Sequence, residues 1–168
     1  MTQPNIIMTR VDERLIHGQG QLWVKFLNCN TVIVANDVVS EDKIQQSLMK
    51  TVIPSSIAVR FFSIQKVIDI IHKASPAQSI FIVVKDLQDA KRLVEGGVPI
   101  TEINIGNIHK TTDKVAITQF ISLGETDKSA IRCLAHDHQV VFNTKTTPAG
   151  NSASDVDILD CLLYTSPS

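Results

Sequence analysis

The chain has 168 residues, close to one domain at roughly 150 residues per domain, and 43% hydrophobic with 20% charged residues supply a core and exclude a disordered chain. A balance of 16 basic and 17 acidic residues, with formal charge −1 and no face-sized basic run, excludes nucleic-acid or anionic-membrane binding driven by net charge. No apolar run reaches the ~18–20 residues of a bilayer span and MTQPNIIMTR lacks a signal-peptide stretch, so a soluble, cytoplasmic protein is expected.

In chain order, a strand is predicted at Asn5–Val11, followed by the polar stretch Asp12–Gly20 and a first helix carrying Trp23. Strands follow at Thr31–Ala35, Ile57–Phe62, Ser79–Val84 and Glu102–Ile105; the second and fourth of the five are almost wholly apolar, as strands covered on both faces are. Helices are expected at Glu41–Met49 after Ser40, at Ile64–Lys73 after Ser63, and at Leu87–Glu95 between Asp86 and Gly96-Gly97. Further on, Val115–Leu123 reads as a strand, Thr126–His136 as a helix capped by Thr126, and Gln139–Asn143 as a last strand. A polar loop (Thr144–Ala153), a closing helix (Asp155–Leu163) and a frayed tail (Tyr164–Ser168) complete the chain. Repeated strand–helix–strand units predict right-handed crossovers and an α/β fold: a three-layer α/β/α arrangement with a mainly parallel, doubly wound open sheet. No repeat or linker divides it, so residues 1–163 are expected to form a single domain.

Cys29, Cys133 and Cys161 are odd in number with no C-x-x-C spacing, so reduced thiols are expected. His136 and His138 lack neighbouring ligands at metal spacing and read as imidazoles at a solvated helix end. His72 reads as a surface or satisfied side chain, and Trp23 as packing for the first helix.

In an open α/β sheet ligands bind beyond the carboxyl ends of strands. The informative positions are therefore Asp12–Gly20, Asn36-Asp37 and Gly106–His109, three loops expected at one edge. Arg10, Asp12 and Arg14 stand two apart and lead to His17, with Gly18 beside it. Two guanidinium forks match phosphoryl oxygens, the glycine permits close approach, and the following helix offers free N–H groups. Neutral imidazole is a nucleophile toward phosphorus. An ordinary hydrogen-bonded histidine on a solvated strand end is the competing reading. Asn36-Asp37 also has the composition of a turn, and His109 is a further candidate for the same pocket.

The run Arg10-Val11-Asp12-Glu13-Arg14-Leu15-Ile16-His17-Gly18-Gln19 resembles the active-site loop of the IIB components of the mannose/fructose/sorbose family of the bacterial phosphoenolpyruvate-dependent sugar phosphotransferase system. The likeness continues through Val34–Asp37, Gly97–Pro99 and Ile103–His109, covering about residues 5–125. Gly106-Asn107-Ile108-His109, Gln45-Gln46 and Ala58–Phe61 are most similar to the N-acetylgalactosamine branch. The resemblance implies a phosphoryl relay. His17 would accept the group on Nδ1 from a phosphohistidine of a IIA component and pass it to a sugar delivered by membrane IIC and IID components. It also implies Arg10 and Arg14 around the phosphorylated imidazole and Asp12 as a holder of the loop, with Gly18, Gln19, Asn36, Asp37 and His109 as further loop or phosphoryl contacts. No cofactor, metal or nucleic acid is implied; a homo-oligomer is left open.

In that family the tryptophan stands seven residues after the histidine, whereas Trp23 stands six after His17, with Gly20 between. The shorter spacing is expected to shift His17 relative to Arg10 and slow transfer. It also leaves a second reading, a degenerate IIB-like module that docks on partners without transferring phosphate. The intact Arg10, Arg14 and His17 count against that reading; a hydrolase using His17 as general base is a third, opposed by the lack of a partnered Ser, Cys or acidic pair.

Overall fold

The runs TVIVA and SIFIVV become interior strands because nearly every side chain in them has an apolar layer to enter. The computed structural model describes residues 3–146 and 158–159. Its elements are β1 (Asn5–Asp12), α1 (Gly18–Leu27), β2 (Thr31–Ala35), α2 (Lys43–Lys50), β3 (Ala58–Phe62), α3 (Ile64–Ile70), β4 (Ser79–Val84), α4 (Leu87–Glu95) and β5 (Glu102–Asn107). A small hairpin follows, β6 (Val115–Ala116) with β7 (Ser122–Leu123), and then α5 (Glu125–His138) and β8 (Val141–Asn143). Six strands form a parallel sheet in the order β3-β2-β4-β1-β5-β8. With helices on both faces this is the expected three-layer α/β/α fold.

The layers follow from the crossovers. From β1 the chain steps toward β3, then returns from β3 through β4 to β5 and β8, and right-handed connections place the two series of helices on opposite faces. Packing agrees: Trp23 and Val24 of α1 and Met49 of α2 share one cluster with Val32, Val34, Phe81 and Val83. Ile64, Leu87, Leu93 and Ile131 of α3, α4 and α5 share the other with Val11, Ile82, Val84, Ile103 and Ile105. Each fully buried large side chain stabilises the fold by about 1.5–3 kcal/mol. The loops after β1 and β5 thus leave neighbouring strands toward opposite faces, which opens a crevice between them.

Two caps stand where the sequence puts them. Ser63 Oγ accepts from Lys66 N at 3.1 Å, and Asp86 Oδ1 from Asp89 N at 2.8 Å. The helix after Ser40 begins later than expected. Asn36 Oδ1 accepts from the N–H groups of Val38 and Val39, winding Val39–Glu41 into a 3₁₀ turn, and Asp42 becomes the cap of α2, accepting from Gln45 N at 3.1 Å. The single strand expected over Val115–Leu123 is instead the β6–β7 hairpin, because Thr118 Oγ1 accepts from Phe120 N and Ile121 N, each at 3.1 Å, and turns the chain. Helix α5 starts ahead of Thr126: Asp127 Oδ2 accepts from Gly124 N at 2.9 Å, so Gly124 is the N-cap. Gln139 lies in the left-handed region (φ 54°) as the C-cap of α5, which confines the last strand to Val141–Asn143. Of the closing helix expected over Asp155–Leu163, only residues 158–159 are described, and they are helical; the tail lies outside the described residues.

Candidate active site

Side chains alternate across a strand, so Val11, Ile103 and Ile105 enter the core under α3–α5 while Arg10, Asp12, Asn104 and Gly106 face the α1 layer. Arg10 lies opposite Asn104 in the β1–β5 register, and Asn104 lies opposite Asn143 in the β5–β8 register. Arg10 is 2% exposed and Asp12 1%. The guanidinium donates from Nη1 to Asn104 Oδ1 and from Nη2 to Asp12 Oδ2 at 3.2 Å, and it stands 5.3 Å above the ring of Trp23. Its Nε has no hydrogen-bond partner among the described residues. Burial pulls the Arg10 pKa down from its usual range, and the Asp12 carboxylate opposes that shift. Gly106 makes room for this arrangement, since a Cβ there would lie 2.3 Å from Arg10 Cζ.

Asp12 ends the strand and shapes the loop. Its Oδ1 accepts from Arg14 N at 3.0 Å, and its carbonyl accepts from Leu15 N at 2.8 Å. Leu15 is held at φ 58°, a left-handed conformation that costs on the order of 1 kcal/mol or more for a residue with a Cβ. Burial of Leu15 and Ile16, each 4% exposed, offsets that strain and pins the loop to the core. Directly after them, His17 is exposed and extended (φ −167°, ψ 155°) at the N-cap of α1. Its side chain makes no capping bond, so it leaves the N–H groups of the helix's first turn uncapped, a setting that favours an anion. Gly18 and Gln19 open that helix.

Arg14 is the more exposed arginine, at 39%. With the Asn107 amide oriented by its partners, Asn107 Oδ1 accepts from Arg14 Nη2 at 2.6 Å and from Nε at 3.1 Å. The loops after β1 and β5 are also joined by the bond from Glu13 N to Asn107 O at 3.1 Å. Arg10, Arg14, Gly106, Asn107, Phe120 and Thr146 line a pocket of about 80 Å³ between them.

The other expected contacts have partners of their own. His109 Nδ1 lies 2.5 Å from Glu13 Oε2, and Lys114 links Glu13 (4.0 Å) to Asp127 (3.6 Å). Asn36 serves the turn described above. Asp37 accepts from Ile64 N at 2.9 Å and pairs with Arg92 at 3.1 Å. The Ile64 bond is foremost in holding the Asp37 carboxyl below its usual pKa. His72 lies 3.2 Å from the carbonyl of Gly97. His136 and His138 lie on the last turn of α5. Among the described residues, the one grouping with metal-ligand atoms within 4.8 Å of one another is Glu95, Cys133 and His138, on α4 and α5 rather than on the loop. There Lys91 stands 3.9 Å from Glu95, and Cys133 Sγ donates to Asp137 at 3.6 Å.

Sequence reasoning passed over Asn104, the contribution of Gly106 to Arg10, and Phe120 and Thr146 at the pocket. One signal was present for the first: a lone amide inside the predicted strand Glu102–Ile105. Trp23 is packing, as expected, at 2% exposure, but it also carries Arg10 and donates from Nε1 to Thr146 O at 3.4 Å.

Residues 6–166 match the family described as PTS system sorbose subfamily IIB component. The chain belongs to this family. An N-acetylgalactosamine-specific phosphotransferase IIB component of Escherichia coli K12 is 49% identical over 132 residues, 78% of this chain and 84% of the relative. A crystal structure of an N-acetylgalactosamine IIB component from Streptococcus pyogenes is 97% identical with a TM-score of 0.92, covering 95% of this chain and 99% of that one. The IIB domain of the Klebsiella pneumoniae sorbose permease shares the fold at 28% identity and a TM-score of 0.84, over 99% of this chain and 100% of that one. As a IIB component the protein is a phosphocarrier and transferase of a sugar phosphotransferase system. No helix among the described residues is long and apolar enough to cross a membrane.

Proposed function

We propose that His17 carries the phosphoryl group, taking it from a phosphohistidine of a IIA component and passing it to an N-acetylgalactosamine-type sugar held by membrane IIC and IID components. The observation that carries this reading is an exposed imidazole at the mouth of α1, on a loop whose Arg10 and Arg14 line a pocket of about 80 Å³. In the first step the lone pair of His17 Nδ1 forms a bond to phosphorus. The P–N bond of the donor imidazole breaks, and its electron pair stays on the donor nitrogen. In the second, a sugar hydroxyl oxygen forms the bond to phosphorus, the P–N bond to His17 breaks with its electron pair kept on Nδ1, and the hydroxyl proton passes to water, so the imidazole is regenerated. A loose transition state spreads charge over the equatorial oxygens, and fixed cations and N–H dipoles are what protein can add.

Arg14, exposed and held by Asn107, is the guanidinium placed to meet those oxygens. Arg10 lines the pocket from below and holds Asp12, which holds the loop. Gly18 and Gln19 bring the first-turn backbone of α1 to the same group. Asn36, Asp37 and His109 act at one remove, through the turn after β2 and through Glu13. The protein works as a single domain in the cytoplasm, peripheral to the transporter, and needs no cofactor or metal for this chemistry.

Incubation with phospho-IIA should add one acid-labile, base-stable phosphoryl group, mapped to the His17 peptide. His17→Ala should take up none; equal labelling of that variant would overturn the assignment. With membranes bearing the IIC and IID components, N-acetylgalactosamine should discharge the labelled protein faster than mannose or sorbose. Equal discharge by all three would remove the sugar assignment and leave the relay.

A further inference from the structure

Beneath Arg10 lies a chain of side-chain amides whose direction is fixed from its far end. Glu102 Oε2 accepts from Asn143 Nδ2 at 2.9 Å, so Asn143 turns its oxygen the other way. That oxygen accepts from Asn104 Nδ2 at 2.6 Å and from Lys145 N at 3.2 Å. Asn104 Nδ2 also donates to Lys145 O at 3.0 Å, so both neighbours on that side demand its nitrogen. Its oxygen is then left to face Arg10 Nη1, and a guanidinium only donates. Asn104 is 0% exposed and Asn143 8%, so neither amide reverses at the cost of a water contact alone; a reversed amide would bury mismatched groups.

We propose that Asn104 is a positioning residue for the phosphoryl-transfer loop, setting the rotation of the Arg10 guanidinium, and that Glu102 and Asn143 set Asn104 in turn. This rests on the reading that the Arg10–His17 loop handles the phosphoryl group. Among the described residues Arg10 has two oriented contacts, Asn104 on one side and Asp12 on the other, above the flat face of Trp23. Asp12 then fixes Arg14 N and the turn leading to His17. Without Asn104, the guanidinium can turn on the indole and take Asp12 with it. The Lys145–Thr146 segment is part of the same assembly, since Asn104 and Trp23 fasten its carbonyls and Thr146 lines the pocket.

The direction of the chain supplies a test that a merely structural amide would not meet. Asn104→Asp keeps an acceptor for Arg10 but sets a carboxylate against Asn143 Oδ1 and Lys145 O. Adding Glu102→Gln gives position 102 an amide that can donate, so Asn143 can reverse and donate to the new carboxylate while giving up the bond from Lys145 N, and the net charge returns to that of the parent. Asn104→Asp is expected to slow transfer from phospho-IIA about tenfold or more, as sub-ångström to ångström misplacement does, with KM for phospho-IIA little changed. The Glu102→Gln addition should recover part of the rate. Emission from Trp23, the one tryptophan of the chain, reports Arg10 without any phosphoryl chemistry. It should shift in Asn104→Asp and return toward the parent in the double variant. Parent-like rate and emission in Asn104→Asp, or no recovery in the double variant, would overturn the proposal. A parent chain that takes up no phosphoryl group would instead overturn the proposed function, while the emission series still decides whether Asn104 positions Arg10.

Discussion

Phe61, Val34, Val83, Arg10, Asn104 and Asn143 stand at one level of the sheet, each opposite the next, from the β3 edge to the β8 edge. They face the α1–α2 side together, yet the row divides at β1. On its apolar half, Val34 and Val83 are each 1% exposed against Trp23, Val24 and Met49, and volume is all that the site demands of them. On its polar half, Arg10, Asn104 and Asn143 are almost as buried, but each must meet a partner of the right kind in the right direction. The first half sets how stable the layer is. The second sets where a positive charge sits and which way it points, which apolar packing cannot do. The crevice between β1 and β5 opens on the second half.

The comparison can be broken most severely at Arg10. Arg10→Met leaves Asp12 buried without its main counter-charge, and a loss of about 3–5 kcal/mol is expected, together with loss of transfer. Val83→Ala, one strand away in the same row, should cost about 2 kcal/mol and leave the transfer rate of the folded protein unchanged. Urea unfolding and single-turnover transfer from phospho-IIA measure both. Equal effects on rate from the two variants would show that the row does not divide as described.

A smaller break comes from inserting a valine between Gln19 and Gly20, which restores the family's usual spacing. The shorter spacing was expected to impair the site. In the structure, however, Trp23 at this spacing is 2% exposed and lies 5.3 Å beneath Arg10. One added residue turns the helix beyond it by about 100°, so it should remove Trp23 from both halves of the row and cost about 2–3 kcal/mol of burial. Thermal melting and Trp23 emission check this; an insertion variant that melts no lower and transfers faster would restore the original expectation.

Arg14→Lys sharpens the comparison at the solvent end. Arg14 presents Nε and Nη2 to Asn107 as a fork, at 3.1 and 2.6 Å, which an ammonium cannot reproduce. Transfer should slow about tenfold, near 1.4 kcal/mol on the barrier, with melting unchanged because the side chain is 39% exposed. Unchanged kinetics would mean that Arg14 supplies diffuse charge only.

Much of the fold was legible because it depends on local pattern. The Ser63 and Asp86 caps each act on a backbone N–H three residues on, and the apolar runs of β2 and β4 are visible in consecutive residues. Three departures share one cause: a side-chain oxygen captured backbone N–H groups that regular structure would have used. Asn36 did so before α2, Thr118 in the hairpin and Asp127 before α5. The place of the loop was legible as well, since Asp12–Gly20 directly follows a predicted strand and the structure puts it at the carboxyl end of β1. The arginines' contacts were not: the pattern puts Arg10 on a strand and Arg14 in the loop, but the partners Asn104 and Asn107 lie about ninety residues along the chain.

The sequence by itself determined the layers, the order of strands and helices as far as β5, and the loop bearing Arg10, Asp12, Arg14 and His17, since periodicity and short-range chemistry are written along the chain. Only the tertiary structure decided that Arg10 rests on Trp23 between Asn104 and Asp12, that Gly106 clears its space, and that Glu102 orients the amides behind it. Those contacts join β1 to α1, to β5 and through β5 to β8, up to 94 residues apart for Arg10 and Asn104. They exist because parallel pairing brings the strands into one register, and because a buried donor must find its acceptor across strands, wherever along the chain that acceptor lies.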